Sequence, residues 1–186
     1  MNTDLRDIIR MAAKVLDHYE REFGDDLFPN KRKNSFIEMF YTDLALYSLI
    51  LCTTSGPVSN EQIRHINFYC DTNYPTGNGE YFVSALSDMR IDFQDNIPNS
   101  INAVIIIENL LDEYNQMYKR KPLVNTLISI FDHLTQDLVT CDCTDETEVS
   151  DENVQFAGNY LDNLRAYARE KYYDPDLIED STVYRC

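Results

Sequence analysis

Ser35-Phe36-Ile37-Glu38-Met39-Phe40-Tyr41-Thr42-Asp43-Leu44-Ala45-Leu46-Tyr47-Ser48-Leu49-Ile50-Leu51-Cys52 is the stretch from which the architecture follows. Ser35 and Glu38 have the spacing of a capping box, in which each side chain serves the other residue's backbone N–H at a helix start. Beyond the cap, Phe36, Phe40, Leu44, Tyr47 and Leu51 repeat at helical spacing, and the residues between them are also largely apolar. A helix apolar nearly all round is buried on most sides. The stretch therefore predicts a central helix surrounded by others.

The neighbouring segments supply the others. Thr3 is expected to cap a first helix, whose stripe of Leu5, Ile8, Ile9, Ala12, Val15, Leu16, Tyr19 and Phe23 is stopped by Gly24. After a Gly56-Pro57 turn, Ser59 and Gln62 form a second capping box for a third helix through Ile63, Ile66 and Cys70. A fourth runs through Phe82, Leu86 and Met89, with Ile91 to Asp95 irregular. Asn96 is the expected cap of a fifth, with Pro98 in its first turn and Ile101, Val104 and Ile105 beyond. Pro122 starts a sixth through Leu127, Phe131 and Leu138, and Ser150 a seventh through Val154, Tyr160 and Leu164. No strand pattern is legible. The fold class is all-α, a single-domain bundle of about seven helices, with a helical domain over 1–171 and an irregular tail, strap or frayed end, over 172–186.

Thirty-two Asp and Glu against 16 Lys and Arg leave a formal charge of -16. A field of that sign repels phosphate backbones and anionic lipid headgroups, which argues against nucleic acid or a membrane surface as partner. It steers basic proteins or cations inward, or else only keeps the chain soluble. The start Met1-Asn2-Thr3-Asp4 lacks the basic residues and apolar run of a signal peptide. Cys52, Cys70, Cys141, Cys143 and Cys186 are odd in number and irregular in spacing, which suits a reducing compartment. A cytoplasmic protein is expected.

The acids concentrate from Asp142 to Glu152, between the sixth and seventh helices. Counting Asp142 as the first position of a calcium loop places Glu146 and Glu148 at ligand positions, so Asp142, Glu146 and Glu148 are the candidate metal ligands. The match then fails where Gly is needed for the sharp turn, which is Thr147, and where a bidentate Glu closes the site, which is Asn153. Ser150 as cap, with Asp151 and Glu152 complementing the helix dipole, explains much of the cluster without an ion. No cofactor is expected.

The turn Ser55-Gly56-Pro57-Val58-Ser59-Asn60-Glu61-Gln62 has the same plan as that loop, Val58-Ser59 aligning with Val149-Ser150. The two make degenerate helix-loop-helix units, Leu44 to Cys70 and Leu127 to Leu164. This pattern resembles the TerB-like family of tellurite-resistance and phage-defence-associated proteins, as does Ile97-Pro98-Asn99-Ser100-Ile101, which is similar to a Pro-containing connector in some members attached to ATPases. The resemblance implies an all-helical fold and a bacterial stress or defence setting. In the family the loop acids are associated with metal binding. Their positions here are Ser55, Gln62, Glu146 and Asn153, of which only Glu146 is a carboxylate. The resemblance thus implies a scaffold with its ion chemistry largely lost.

Catalysis has little to stand on. His18, His65 and His133 all fall in helical patterns without a nucleophile motif, and the five glycines form no phosphate-cradling loop. His133, Asp137 and Cys141 share one helical flank, where they could be ligands or a charge-polarised thiol. Cys141-x-Cys143 is half a zinc site without a second pair. Thirteen tyrosines and nine phenylalanines are many for one small core. Tyr69, Tyr74, Tyr81, Tyr172 and Tyr173 are therefore candidates, with Glu146, Glu148, Asp151 and Glu152, for partner binding; the alternative is a Tyr-rich core rim. The expected function is a non-enzymatic, acidic protein-interaction module whose partner is a protein, basic by charge complementarity. The alternatives are an immunity protein that neutralises a cognate toxin, and a divalent-metal sensor using the acidic loop.

Overall fold

A computed structural model of the chain describes residues 1–27, 34–113, 122–142 and 150–180. Its helices are α1 (Thr3–Leu27), α2 (Phe36–Cys52), α3 (Asn60–Cys70), α4 (Gly79–Asp92), α5 (Asn99–Glu113), α6 (Leu123–Thr140) and α7 (Asp151–Lys171), with single 3-10 turns at Phe93–Asp95 and Pro175–Leu177. Among the described residues there is no strand, and the fold is an all-α bundle. None of the described helices is long and apolar enough to cross a membrane.

The expected central helix is central. α2 packs against each of the other six helices, and from Leu44 to Cys52 every residue except Leu46 is buried. Its capping box is formed: Ser35 Oγ accepts from Glu38 N at 3.1 Å, and Glu38 Oε2 accepts from Ser35 N at 2.8 Å. Around its C-terminal half stands an aromatic cluster. Tyr47 stacks on Tyr160 at 4.8 Å between ring centres and meets Phe131 edge-on at 5.2 Å, while Phe93 stacks on the far face of the group, 5.3 Å from Tyr160. Each such pair contributes about 0.5–1.5 kcal/mol beyond the area it buries. The Tyr47 hydroxyl is not left dry, since it pairs with Thr135 Oγ1.

Several helix ends differ from the sequence expectations. Asn2, not Thr3, caps α1, its Oδ1 accepting from Asp4 N at 3.0 Å and Leu5 N at 3.2 Å. Gly24 does not stop α1, which continues to Leu27; an interior glycine costs only about 1 kcal/mol and packing outweighs it. Within α1, Ile8 and Val15 are on the outer side rather than in the core. The fourth helix extends through Ile91 to Asp92 before tightening into its 3-10 turn. Asn96 is not the cap of α5, which begins at Asn99, one residue after Pro98.

The caps of α5 and α6 come from other helices. Asp43 Oδ2 on α2 accepts from Ser100 N at 2.9 Å and Ser100 Oγ at 2.6 Å. Pro122, ahead of α6, makes no side-chain cap, and Glu108 of α5 supplies it, accepting from Leu123 N at 2.7 Å. α2 itself receives Glu20 from α1, whose Oε2 accepts from Phe36 N at 2.8 Å. Each carboxylate meets the positive end of a helix dipole where backbone N–H groups lack intrahelical partners.

α7 begins after Ser150 as expected, although the Ser150 side chain makes no cap hydrogen bond. Val154 is 37% exposed, and the packed face is instead Phe156, Ala157, Tyr160, Leu161 and Leu164. The described residues after α7, 172–180, form a strap. Tyr172 and Ile178 are buried, and Asn125 of α6 holds the strap on either side of Ile178, donating to Leu177 O at 2.7 Å and accepting from Glu179 N at 3.2 Å.

Candidate functional site

Between α2 and α4 lies an apolar groove. Tyr41, Thr42, Ala45, Leu46 and Leu49 lie on one face of α2 and form one wall; Tyr81, Phe82, Ala85 and Leu86 of α4 form the other. Cys70, Thr72 and Tyr74, at the end of α3 and in the loop after it, close one side. The groove is open on one side and its volume is about 420 Å³, within the range of small-ligand sites.

The groove is held open by local backbone chemistry. Asp71, at the C-cap of α3, is left-handed with φ 49 and ψ 36, a conformation that Asp tolerates better than most residues. Asn67 then clamps the returning loop: its Oδ1 accepts from Tyr74 N and from Thr72 Oγ1, both at 2.8 Å, and its Nδ2 donates to Tyr74 O at 2.9 Å. Asn60 Oδ1 accepts from Gly77 N at 2.7 Å. The first residue of α4 has to be glycine, since a Cβ on Gly79 would stand 2.1 Å from Val58 O. That contact sets how closely α4 approaches the turn after α2.

Chemically the groove is apolar and unreactive. No charged side chain lines it. Burial pushes the Cys70 thiol up to about 12, so at neutral pH the thiol is protonated and a poor nucleophile. Burial also raises Tyr41 and Tyr74, which stay neutral hydroxyls. Two tyrosine rings meet Phe82 edge-on, Tyr74 at 5.4 Å and Tyr81 at 5.8 Å.

Of the partner-binding residues expected from sequence, the fold brings Tyr74 and Tyr81 into this groove, Tyr81 being 66% exposed. Tyr69 and Tyr172 are packed inside at 1% and 4% exposure, so neither offers a ring to a partner: Tyr69 donates to Asp137 Oδ2 at 2.8 Å and Tyr172 to Glu108 Oε2 at 3.1 Å. Tyr173 is exposed beside Tyr172, in the strap. Asp151 and Glu152 are exposed in the first turn of α7. Asp142 is exposed and accepts a hydrogen bond from Ser59 Oγ, so the second loop touches the cap of the first. Glu146 and Glu148 lie outside the described residues. Among the described residues no group of His, Cys, Asp or Glu is arranged to hold a metal ion. The sequence marks Phe82 and Leu86 as apolar positions of the fourth helix and does not single out Tyr41, Leu46 or Leu49; periodicity marks a residue as apolar but not which neighbours it lines a groove with.

The flank His133-Asp137-Cys141 does not act as a unit. His133 is exposed and its Nδ1 lies 2.8 Å from Ser129 O of its own helix. Asp137 turns instead to His65 of α3, at 2.5 Å from Nδ1, and the other ring nitrogen is 3.5 Å from Glu61. Burial, with Asp142 and Asp137 nearby, pushes the Cys141 thiol up to about 12, the opposite of a polarised nucleophile. With both nitrogens facing carboxylates, His65 joins α3 to α6. Comparison of the chain with protein-family models, curated proteins and solved structures gave no match.

Proposed function

We propose that this chain is a non-enzymatic, TerB-like interaction module that binds a protein partner through the groove between α2 and α4, in a bacterial stress or defence setting. The groove carries this reading, because it is an opening of about 420 Å³ lined by apolar and aromatic side chains, with Tyr81 exposed, Tyr41 and Leu46 half-buried, and no charged or activated group in its lining. A concave, mostly apolar cavity of this size with a few hydroxyls in its wall is the usual form of a binding site. The net charge of -16 favours a basic partner by steering. The raised thiols of Cys52, Cys70 and Cys141 support a binding role over nucleophilic chemistry.

Affinity capture from the native cell tests it with three baits: the unaltered chain, Leu46→Glu in the groove wall, and a chain with Glu146, Glu148, Asp151 and Glu152 changed to amides. A protein retained by the first and third baits and lost from the second is the expected result. Retention that depends on the acidic loop and ignores Leu46 would move the site away from the groove.

A further inference from the structure

The shape and charge of the groove say what kind of segment fills it, an inference that rests on the binding reading above. We infer that the occupant is a positively charged amphipathic helix of the partner, laid along the channel between α2 and α4 with large apolar side chains at i, i+3 or i+4, and i+7 turned inward.

Three observations lead there. The first is length. The lining of α2 runs from Tyr41 to Leu49, which at a rise of ~1.5 Å per residue is about 12 Å, and the i to i+7 stripe of a helix covers about 10.5 Å. A two-turn apolar stripe therefore matches the wall, and a helix laid in an apolar groove is a recurring recognition mode read through such anchors.

The second is the lining itself. With no charged residue facing inward, a buried ammonium or carboxylate from the occupant would remain unpaired, so the inward stripe has to be apolar. The tyrosine rings of Tyr41, Tyr74 and Tyr81 provide aromatic contact area, with hydroxyls for the polar edge of the occupant.

The third is the charge flanking the channel. Glu38 stands one turn before Thr42 on α2, and on α4 Glu80 adjoins Tyr81 while Asp88 lies one turn beyond the lining; all three are exposed. Arg6, near Tyr41, is already paired with Asp71 at 3.0 Å, leaving Arg10 as the other cation near that corner. Lysines and arginines on the outer face of a docked helix would meet Glu38, Glu80 and Asp88 as well as the field of the whole chain. A second copy of this chain would instead bring -16 against -16.

The test uses fluorescein-labelled peptides of about 14 residues, four helical turns: one with leucines at i, i+3 and i+7 and lysines elsewhere on the flanks, one with glutamates replacing the lysines, and one with the lysine composition in scrambled order. Fluorescence anisotropy is expected to show the first binding at least about tenfold more tightly than either of the others, and weakening as salt rises. Leu46→Glu and Tyr81→Ala should each weaken it by about tenfold with an unchanged far-UV spectrum and melting point. Equal binding of the ordered and scrambled lysine peptides would reduce the effect to bulk charge and overturn the inference. So would saturable binding of the neutral dye Nile red, lost in Leu46→Glu, without binding of the ordered peptide, since the occupant would then be a small apolar molecule. If native capture depends on Leu46 while the lysine peptide binds no better than the glutamate peptide, the helix inference fails and the binding reading stands. If capture ignores Leu46, the binding reading itself fails.

Discussion

Removing the carboxylate of Glu108 should be among the costliest single changes to an acid in the described fold. Glu108 is 1% exposed. Its Oε1 accepts from Leu123 N at 2.7 Å and Tyr19 OH at 3.4 Å, and its Oε2 from Tyr172 OH at 3.1 Å and Val124 N at 3.5 Å. The strongest of these, to Leu123, also serves the N-terminus of α6. In Glu108→Ala the Leu123 N–H and the two hydroxyls lose a buried acceptor, at about 1–3 kcal/mol for each group left unmet. Loss of the anion at the helix end adds up to about 2 kcal/mol. Relief of the buried charge offsets part of this, so the net loss is about 3–5 kcal/mol, or roughly 6–20 °C in melting temperature for a chain of this size. Glu108→Gln keeps one acceptor and should cost about half as much.

The pH dependence has a definite sign. Burial is the largest influence on Glu108 and raises its folded pKa, against the lowering effect of its hydrogen bonds. A raised folded value means that the fold holds the proton more tightly than the unfolded chain. This contribution is complete below the unfolded value of about 4.3 and is lost as pH rises through the folded value. The advantage of the unaltered protein over Glu108→Gln should therefore grow as pH is lowered from neutrality. Urea melts of the three proteins across that range measure it. A Glu108→Ala protein within about 1 kcal/mol of the parent, or a gap to Glu108→Gln that shrinks on acidification, would refute the reasoning.

Gly79→Ala should force α4 away from Val58 and destabilise the fold by about 1–3 kcal/mol, the usual range for overpacking; an unchanged denaturation midpoint would count against the close approach of α4. Asp43, also raised by burial ahead of its Ser100 and Asn99 hydrogen bonds, should follow the same pH sign: Asp43→Asn loses about 1 kcal/mol of helix capping at neutral pH, and more relative to the parent as pH falls through the folded value, as read by melts at successive pH values. At pH 8 iodoacetamide should leave Cys52, Cys70 and Cys141 unlabelled in the native chain and label them in urea, because burial raises all three thiols; peptide mass mapping gives the answer residue by residue.

The acidity of the chain acquires a partly structural meaning from the fold. Glu20, Asp43 and Glu108 each cap a helix on another element, and Asp137 ties α3 to α6 through His65. These carboxylates act as fixed partners of backbone and ring N–H groups, so not all of the charge of -16 is solvent-facing surplus. The same geometry separates the parts of the chain that hold the bundle together from the groove, whose lining has no ionised group.

The helices and the central place of α2 were legible in the sequence because capping boxes and hydrophobic periodicity are local signals. Ser35 with Glu38 and Ser59 with Gln62 meet within a single turn, and the all-round apolarity of Leu44 to Cys52 marks a helix buried on most sides. Tyr74 and Tyr81 were legible as candidates by residue type alone. Their convergence on one groove, and the withdrawal of Tyr69 and Tyr172 into the interior, depend on which helices lie alongside each other. The starts of α5 and α6 follow the same rule, since the carboxylates that cap them come from Asp43, 57 positions before Ser100, and Glu108, 15 positions before Leu123. A local pattern specifies which backbone segments become helical and which stripe is apolar. Only packing decides which part of that stripe is left uncovered and which distant acid arrives at a helix end, because burial and electrostatic partnership are properties of neighbours in space.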